Sequence, residues 1–301
     1  MTDMIDSRIV VFDYFNLRVE AVHDFNKTII DRVTFKPDDD NIICVSGHNI
    51  WSCFRIHEGG LRDNQAFLKV EVTQFIFTEH AWLNDNQIIG CTKVGSMLIV
   101  KDNSLHKEFP NAFNSEESDS YVTCIRPFSQ GFYIGSNDGD MALWLRQDVN
   151  PASTGKYPYD FIKKWQPVAA KKHTILSLSI APKEDQLTVA LSNNSIGMIP
   201  TKSTGITEQK SAEVKFDLIC RGFHVGAICG LDVAVQRPII ASCSREDSTI
   251  RLWNYTTGMC ELAREYFVLE DNSVRHQAKP LITVAIHPTG YQLAASFIDK
   301  I

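Results

Sequence analysis

The strongest constraint on the fold is a repeated pattern of short apolar segments, each group punctuated by turns rich in Gly, Asn, Asp or Pro. The turns that follow the first segment of each group fall at Pro37, Leu83, Phe128, Pro182, Val235 and Pro288. The period is therefore about 45 to 54 residues. The shorter spacings are close to the ~40–45 residues of a four-stranded repeat unit, and the longer ones exceed it by about the length of one loop. Val, Ile and Phe occupy the alternating positions typical of half-buried strands. The pattern predicts an all-β chain of repeated four-stranded sheets.

A four-stranded sheet of this size cannot bury both of its faces alone. Stacking such sheets around an axis buries the faces and leaves short edges, and helical periodicity is scarce in this chain. We therefore predict a β-propeller with about five complete four-stranded blades and a partial blade at each end. The approximate blade ranges are 1–28 (partial), 29–74, 75–119, 120–172, 173–222, 223–280 and 281–301 (partial). Both ends interrupt the blade pattern, so we expect the chain to be part of a longer product.

Charge and cysteine usage exclude several classes of function. The net charge is −6, which disfavours general binding to nucleic acid or anionic membrane, because both need a basic face. There is no apolar run of about 18 residues and no basic segment leading into an apolar one at the start. The eight cysteines include no Cys-x-x-Cys pair, the usual zinc or dithiol signature. We expect no nucleic acid, membrane, metal or cofactor as a partner.

The clearest copy of the repeat contains Gly222-x-His224, an apolar strand from Ile228, and Trp253-Asn254 in its third strand. This segment resembles a repeat of the WD40 family, with Asn in place of the usual Asp after the Trp. Among the other copies, only Trp144 clearly occupies the same Trp position. The remaining copies are identified as repeats by their spacing.

The resemblance implies a buried hydrogen-bonded network of His224, Ser242, Asp247 and Trp253, with Glu246 as an alternative to Asp247. In the family such a network is structural, since buried polar groups need partners. It therefore accounts for His224 and Ser242 without a catalytic role. We find no other arrangement of His and carboxylate residues that indicates chemistry, and we expect no enzymatic activity.

Longer segments resemble one branch of that family, the axonemal WD40 proteins of cilia and flagella. The resemblance is strong over about 220–300 and moderate over 30–100, and its segments are 33–37, 44–47, 227–232, 237–244, 250–255, 265–266, 284–291 and 297–300. It implies a scaffold of the axoneme that helps to position inner dynein arms or their regulators on doublet microtubules. The implied partners are components of the inner dynein arm and its regulatory complex, with tubulin as a further contact. The alternative is a cytosolic WD40 adaptor in trafficking or ubiquitin transfer.

Long connections between short strands mark the expected contact surface. Loops of this length cost little extra entropy and often carry function. The loop at 146–159 and the basic segments after it combine cations with aromatic rings, a composition suited to protein interfaces. The candidate contact residues are Lys156, Tyr157, Tyr159, Lys163, Lys164, Lys171 and Lys172. The competing interpretation is an ordinary solvated loop.

Overall fold

The computed structural model describes the following residues: 7–64, 75–83, 87–101, 104–114, 120–147, 159–167, 173–204, 214–220, 222–265, 267–268, 277–278 and 280–298. Across these ranges the regular structure is β-strand, apart from one 3-10 turn at Thr201–Thr204. The chain divides into two compact units, one of 1–192 with 197–217, the other of 193–196 with 218–301.

The first sixteen strands lie in the first unit. They are β1 (Ser7–Asp13), β2 (Arg18–Phe25), β3 (Ile30–Lys36), β4 (Asp39–Gly47), β5 (Ile50–His57), β6 (Gly60–Asp63), β7 (Phe77–Trp82), β8 (Gln87–Thr92), β9 (Met97–Lys101), β10 (Ser104–Phe109), β11 (Val122–Phe128), β12 (Gly131–Ser136), β13 (Met141–Arg146), β14 (Tyr159–Trp165), β15 (Ile175–Ile180) and β16 (Gln186–Leu191). Then follow β17 (Ile196–Pro200) and β18 (Asp217–Cys220). The strands of the second unit are β19 (Ile228–Val233), β20 (Ile239–Ser244), β21 (Thr249–Asn254), β22 (Met259–Glu265), β23 (Phe267–Val268), β24 (Gln277–Ala278), β25 (Leu281–Ile286) and β26 (Leu293–Phe297).

The strands form five four-stranded sheets, in which each strand neighbours the next one along the chain: β3–β6, β7–β10, β11–β14, β15–β18 and β19–β22. Two-stranded sheets are formed by β1–β2, β23–β24 and β25–β26. The predicted all-β class, with five complete four-stranded blades and partial ones near both ends, is confirmed.

Tight hairpins connect the strands, and one of them shows why glycine is required. The turn from Asn137 to Asp140 joins β12 to β13, and Gly139 within it has a φ of +83°. L-residues with a Cβ rarely adopt this conformation. A Cβ there would also lie 2.7 Å from the carbonyl oxygen of His173. The carboxylates beside this glycine therefore belong to a hairpin turn.

Apolar side chains from consecutive sheets form the cores. In the first unit, Ile89 and Ile99 pack with Phe132 and Ile134 of the following sheet, and all four are fully buried. In the second unit, Ile239 and Ala241 of β20 belong to one cluster with Leu281, Val284 and Ile286 of β25. Burial of each large aliphatic side chain contributes about 1.5–3 kcal/mol. The sheet β19–β22, which carries the candidate site, is therefore held in place by the packing of β20 against β25.

Candidate functional site

A chain of hydrogen bonds runs through the sheet β19–β22. Nε1 of Trp253, on β21, donates to Oγ of Ser242, on β20, at 2.8 Å. The same oxygen is 2.8 Å from Nε2 of His224, in the segment before β19. Nδ1 of His224 is 3.2 Å from Oδ2 of Asp247, in the β20–β21 turn. The structure thus brings together the four residues that the WD40 resemblance singled out.

The turn between β20 and β21 holds the carboxylate of Asp247 in place. Its Oδ1 accepts hydrogen bonds from the backbone N–H of Thr249 at 3.0 Å and from Oγ1 of Thr249 at 2.7 Å. Its Oδ2 accepts from the backbone N–H of Val225 at 3.0 Å. Asp247 therefore faces the imidazole, whereas Glu246 lies exposed on the surface. Thr249 is a further member of the network, because its Oγ1 is 3.0 Å from Nδ1 of His224. Sequence reasoning missed Thr249, although a hydroxyl residue two positions after a turn Asp is a recognisable signal.

The protonation states follow from the surroundings. Burial lowers the pKa of His224 below its ordinary value, against the opposing influence of Asp247. Burial on its own would raise the pKa of Asp247, but the hydrogen bonds from Thr249 and from the N–H of Val225 outweigh it, so that pKa is lowered. At neutral pH the imidazole is neutral and the carboxylate ionised. A carboxylate only accepts, so Nδ1 carries the imidazole proton and Nε2 accepts the proton of Ser242.

The order Asp247, His224, Ser242 is the order of a hydrolase triad, but the serine is closed off. Ser242 is 1% exposed, and its oxygen already accepts the indole N–H of Trp253. A serine nucleophile must reach a substrate carbonyl beside an oxyanion site. The hydroxyl of Ser242 is buried and already makes two hydrogen bonds, so it cannot reach a substrate. The arrangement satisfies buried polar groups instead.

An apolar groove borders the network within the second unit. The indole of Trp253 is partly buried and stacks on Phe223, with ring centroids 5.4 Å apart and an interplanar angle of 14°. Phe223 itself is 61% exposed. The groove has a volume of about 330 Å³, and its lining residues are Leu218, Ile219, Cys220, Phe223, Trp253, Gly258, Met259 and Cys260.

A second buried network, which sequence reasoning missed, joins the sheets β3–β6 and β7–β10 of the first unit. Nε2 of His80 is 2.7 Å from Oγ1 of Thr34, and its Nδ1 is 2.7 Å from Oγ of Ser46. Nε1 of Trp82 donates to the same Thr34 oxygen at 3.0 Å. His80 and Trp82 stand two residues apart on β7 and therefore share one face. That spacing was the available signal.

Two titratable groups of this second network have displaced pKa values: His80 itself and its chain neighbour Glu79. Burial raises the pKa of Glu79 to about 7, although Arg32 opposes the effect with its Nε 2.9 Å from Oε1 of Glu79. Burial, assisted by the charge of Arg32, lowers the pKa of His80 to about 3. A carboxyl that titrates near neutrality thus lies next to an imidazole that stays neutral.

The expected contact residues fall into three groups. Lys156, Tyr157, Lys171 and Lys172 lie outside the described residues. Tyr159 was expected in an exposed loop, and that is wrong: it begins β14, is 4% exposed and donates its hydroxyl to Gln87 at 3.3 Å. The cause is apolar packing, since its ring is 5.2 Å from that of Phe132.

Lys163 and Lys164 also lie in β14, at the open edge of the sheet β11–β14. Lys163 is half-buried. Lys164 reaches Oδ2 of Asp140 at 3.4 Å, so its charge is partly neutralised within the sheet. Contact with a partner through these two lysines stays a prediction.

Among the described residues, no group of three or more His, Cys, Asp or Glu side chains is arranged to hold a metal ion. In the same part of the chain, no helix has the length and apolar character needed to cross a membrane.

Comparisons with known proteins agree with this geometry. The family model "WD domain, G-beta repeat" of the WD40 family matches residues 220–254, the segment that contains the whole network. The sheets are accordingly blades of the WD40 propeller type.

Curated relatives extend the likeness over most of the chain. Cilia- and flagella-associated protein 57 of Mus musculus is 23% identical over 98% of this chain and 26% of its own length. Cilia- and flagella-associated proteins 57 A and 57 C of Tetrahymena thermophila are 26% and 24% identical over 75% and 82% of this chain, and 16% and 18% of their own lengths. The chain spans about a quarter or less of these relatives. One segment of the chain matches the WD40 family model, and most of the chain is similar to proteins associated with cilia and flagella.

Proposed function

We propose that this chain is a non-catalytic scaffold segment of the ciliary or flagellar axoneme, which helps to position inner dynein arms or their regulators on doublet microtubules. The observation that carries the proposal is the likeness over 98% of the chain to a relative named for cilia and flagella. The closed hydrogen-bond chain around Ser242 supports a structural rather than a catalytic role for His224, Ser242 and Trp253. The site of action is then the cilium or flagellum.

The charge of the chain supports proteins of the axoneme as the main contacts. With a net charge of −6, direct attachment to the acidic surface of tubulin depends on local basic segments. Lys163 and Lys164 are two such cations, and Lys164 also pairs with Asp140. Components of the inner dynein arm and its regulatory complex are therefore the proposed main partners, and tubulin a secondary one.

The proposed contact elements are the loops at the rims of the blades rather than a pocket. Strand β13 ends at Arg146 and strand β14 begins at Tyr159, and the segment between them is the proposed contact loop. Since the ring of Tyr159 is anchored in the core, a shortened version of this segment should end before Tyr159. That boundary makes the loop a clean target for mutation.

Replacing residues 148–157 with a two-residue hairpin turn should leave the fold intact and weaken attachment. We expect a thermal midpoint within about 3 °C of the parent, because hairpin loops contribute little to stability compared with the core. Rebinding of the purified protein to salt-extracted axonemes should fall by about tenfold or more, equivalent to about 1.4 kcal/mol of lost contact energy. Cosedimentation measures it.

A matched control targets the polar cavity of about 310 Å³ in the first unit, which contains Asp31, His48 and Lys93. Lys93→Ala should rebind like the parent protein. The rim-loop proposal is wrong if the shortened protein binds normally while Lys93→Ala does not. If neither the parent nor any variant binds extracted axonemes above a bovine albumin control, the axonemal proposal itself fails.

A further inference from the structure

Two cysteine sulfurs in the second unit lie almost in contact. Sγ of Cys229, on β19, is 3.6 Å from Sγ of Cys243, on β20. Sγ of Cys229 also approaches the carbonyl oxygen of Leu281 at 3.4 Å. Cys243 belongs to the buried apolar cluster of this unit, while Cys229 is exposed.

An irregularity in the ladder produces this approach. The register between β19 and β20 shifts between Ile228 and Gly230, so Cys229 has no direct partner across the ladder. Such a bulge redirects the side chain of the extra residue. Gly230, the residue paired with Cys243, contributes the space, because a Cβ on it would lie 2.9 Å from Sγ of Cys243.

We propose that Cys229 and Cys243 form a redox modification site, in which a peroxide joins them in a disulfide between β19 and β20. A disulfide needs its sulfurs about 2.05 Å apart. The remaining approach of about 1.5 Å lies within the reach of side-chain rotation, because both residues sit on adjacent strands of one sheet. The inference stands on the sulfur geometry and is independent of the proposed axonemal role.

The chemistry balances with a peroxide as the oxidant. The thiolate of Cys229 attacks one peroxide oxygen; an S–O bond forms, the O–O bond breaks, and the departing hydroxide takes up a proton as water. The sulfur of Cys243 then gives up its proton and attacks the sulfur of Cys229. The S–S bond forms, the S–O bond breaks, and a second water leaves. Two thiols are oxidised and one hydrogen peroxide is reduced to two waters.

The surroundings assign the order of attack. Cys229 is exposed and meets the oxidant first. Cys243 is fully buried, and its pKa is raised to about 12, by burial first and by the adjacent thiol of Cys229 second. A group of that pKa is a poor first nucleophile, so it acts as the resolving thiol once Cys229 is activated.

The chain supplies an internal control in the first unit. Cys44 and Cys53 are paired across β4 and β5, but both are fully buried. A peroxide in solution cannot reach them while the protein is folded. The proposal therefore predicts selective oxidation of one cross-strand pair and not of the other.

Differential alkylation of the folded protein tests this. The folded protein is treated with hydrogen peroxide and then denatured, so that every remaining free thiol can be blocked with a light reagent. The disulfides are then reduced and labelled with a heavy reagent. We expect about tenfold more heavy label on Cys229 and Cys243 than on Cys44 and Cys53, following exposure. Equal heavy label on both pairs would show oxidation through unfolding, and heavy label on Cys220 with Cys260 would assign another pair; either overturns the proposal.

Variants separate the two steps. Cys243→Ala should stop the reaction at the sulfenic acid of Cys229, which dimedone traps. Cys260→Ser, a substitution at a half-buried cysteine of the same unit, should leave the heavy labelling of the pair unchanged. Treatment of the parent protein with oxidised glutathione should end in the same disulfide; a stable glutathione adduct on Cys229 with Cys243 still reduced would contradict the proposal.

Discussion

Trp253→Ala should lower the free energy of unfolding by about 3 kcal/mol. This is the lower end of the range for large aromatic side chains, because the indole borders the open groove. The substitution removes the stack on Phe223 and the hydrogen bond to Ser242. It also leaves a buried hydroxyl oxygen without its donor, which adds to the loss. Urea unfolding followed by circular dichroism measures the change.

Two variants divide this loss into its parts. Trp253→Phe keeps most of the ring stacking and removes the N–H, and should cost about 1–2 kcal/mol. Phe223→Ala removes the exposed partner of the stack and should cost less than about 1 kcal/mol. If Trp253→Ala is no more damaging than Phe223→Ala, Trp253 does not anchor the blade.

Glu79→Gln should make the stability of the protein newly sensitive to mild acid. The pKa of Glu79 is raised from 4.5 to about 7 by burial, so its contribution to stability is fully present below pH 4.5 and is lost as the pH rises through about 7. The pKa of His80 is lowered from 6.5 to about 3 by burial, so its contribution is present above pH 6.5 and is lost as the pH falls toward 3. Between pH 6.5 and 4.5 the two contributions change in opposite directions and cancel.

In the Glu79→Gln protein, no carboxyl offsets the stability that His80 loses as the pH falls. The Glu79→Gln protein should lose about 2–3 kcal/mol relative to the parent as the pH falls from 6.5 to 4.5, since one proton contributes about 1.4 kcal/mol per pH unit. His80→Asn should behave in the opposite way and gain stability over the same range. Urea midpoints measured at several pH values test both; parallel pH profiles for the parent and the two variants would show that neither group has a displaced pKa.

The repeat spacing and strand chemistry were sufficient to predict the fold. Turn residues such as Gly139 mark the strand ends in the sequence, because their backbone conformation is one that residues with a Cβ rarely adopt. Tyr159 shows the limit of this reasoning: it follows a long polar segment, yet its ring packs on Phe132. A tertiary contact of this kind leaves no local signal, so the sequence suggested an exposed loop.

The same contrast applies to the site. The network around Ser242 was predictable because its members occupy fixed offsets within one repeat. The network around His80 left only a partial signal, the two-residue spacing of His80 and Trp82, because Thr34 and Ser46 reach it from the neighbouring sheet. The distances between these three side chains depend on how the two sheets pack. The contact between Cys229 and Cys243 likewise depends on a register shift that residue types alone do not announce.

The location of the tagged protein in ciliated cells decides whether it acts in the axoneme. Cilia are isolated, their membranes removed with detergent, and the axonemes separated from the soluble fraction. We expect the tagged protein to remain with the axonemes after detergent and to be released by high salt together with inner dynein arm components. Recovery in the cell body, in a complex of trafficking or ubiquitin-transfer proteins and not in axonemes, would contradict it.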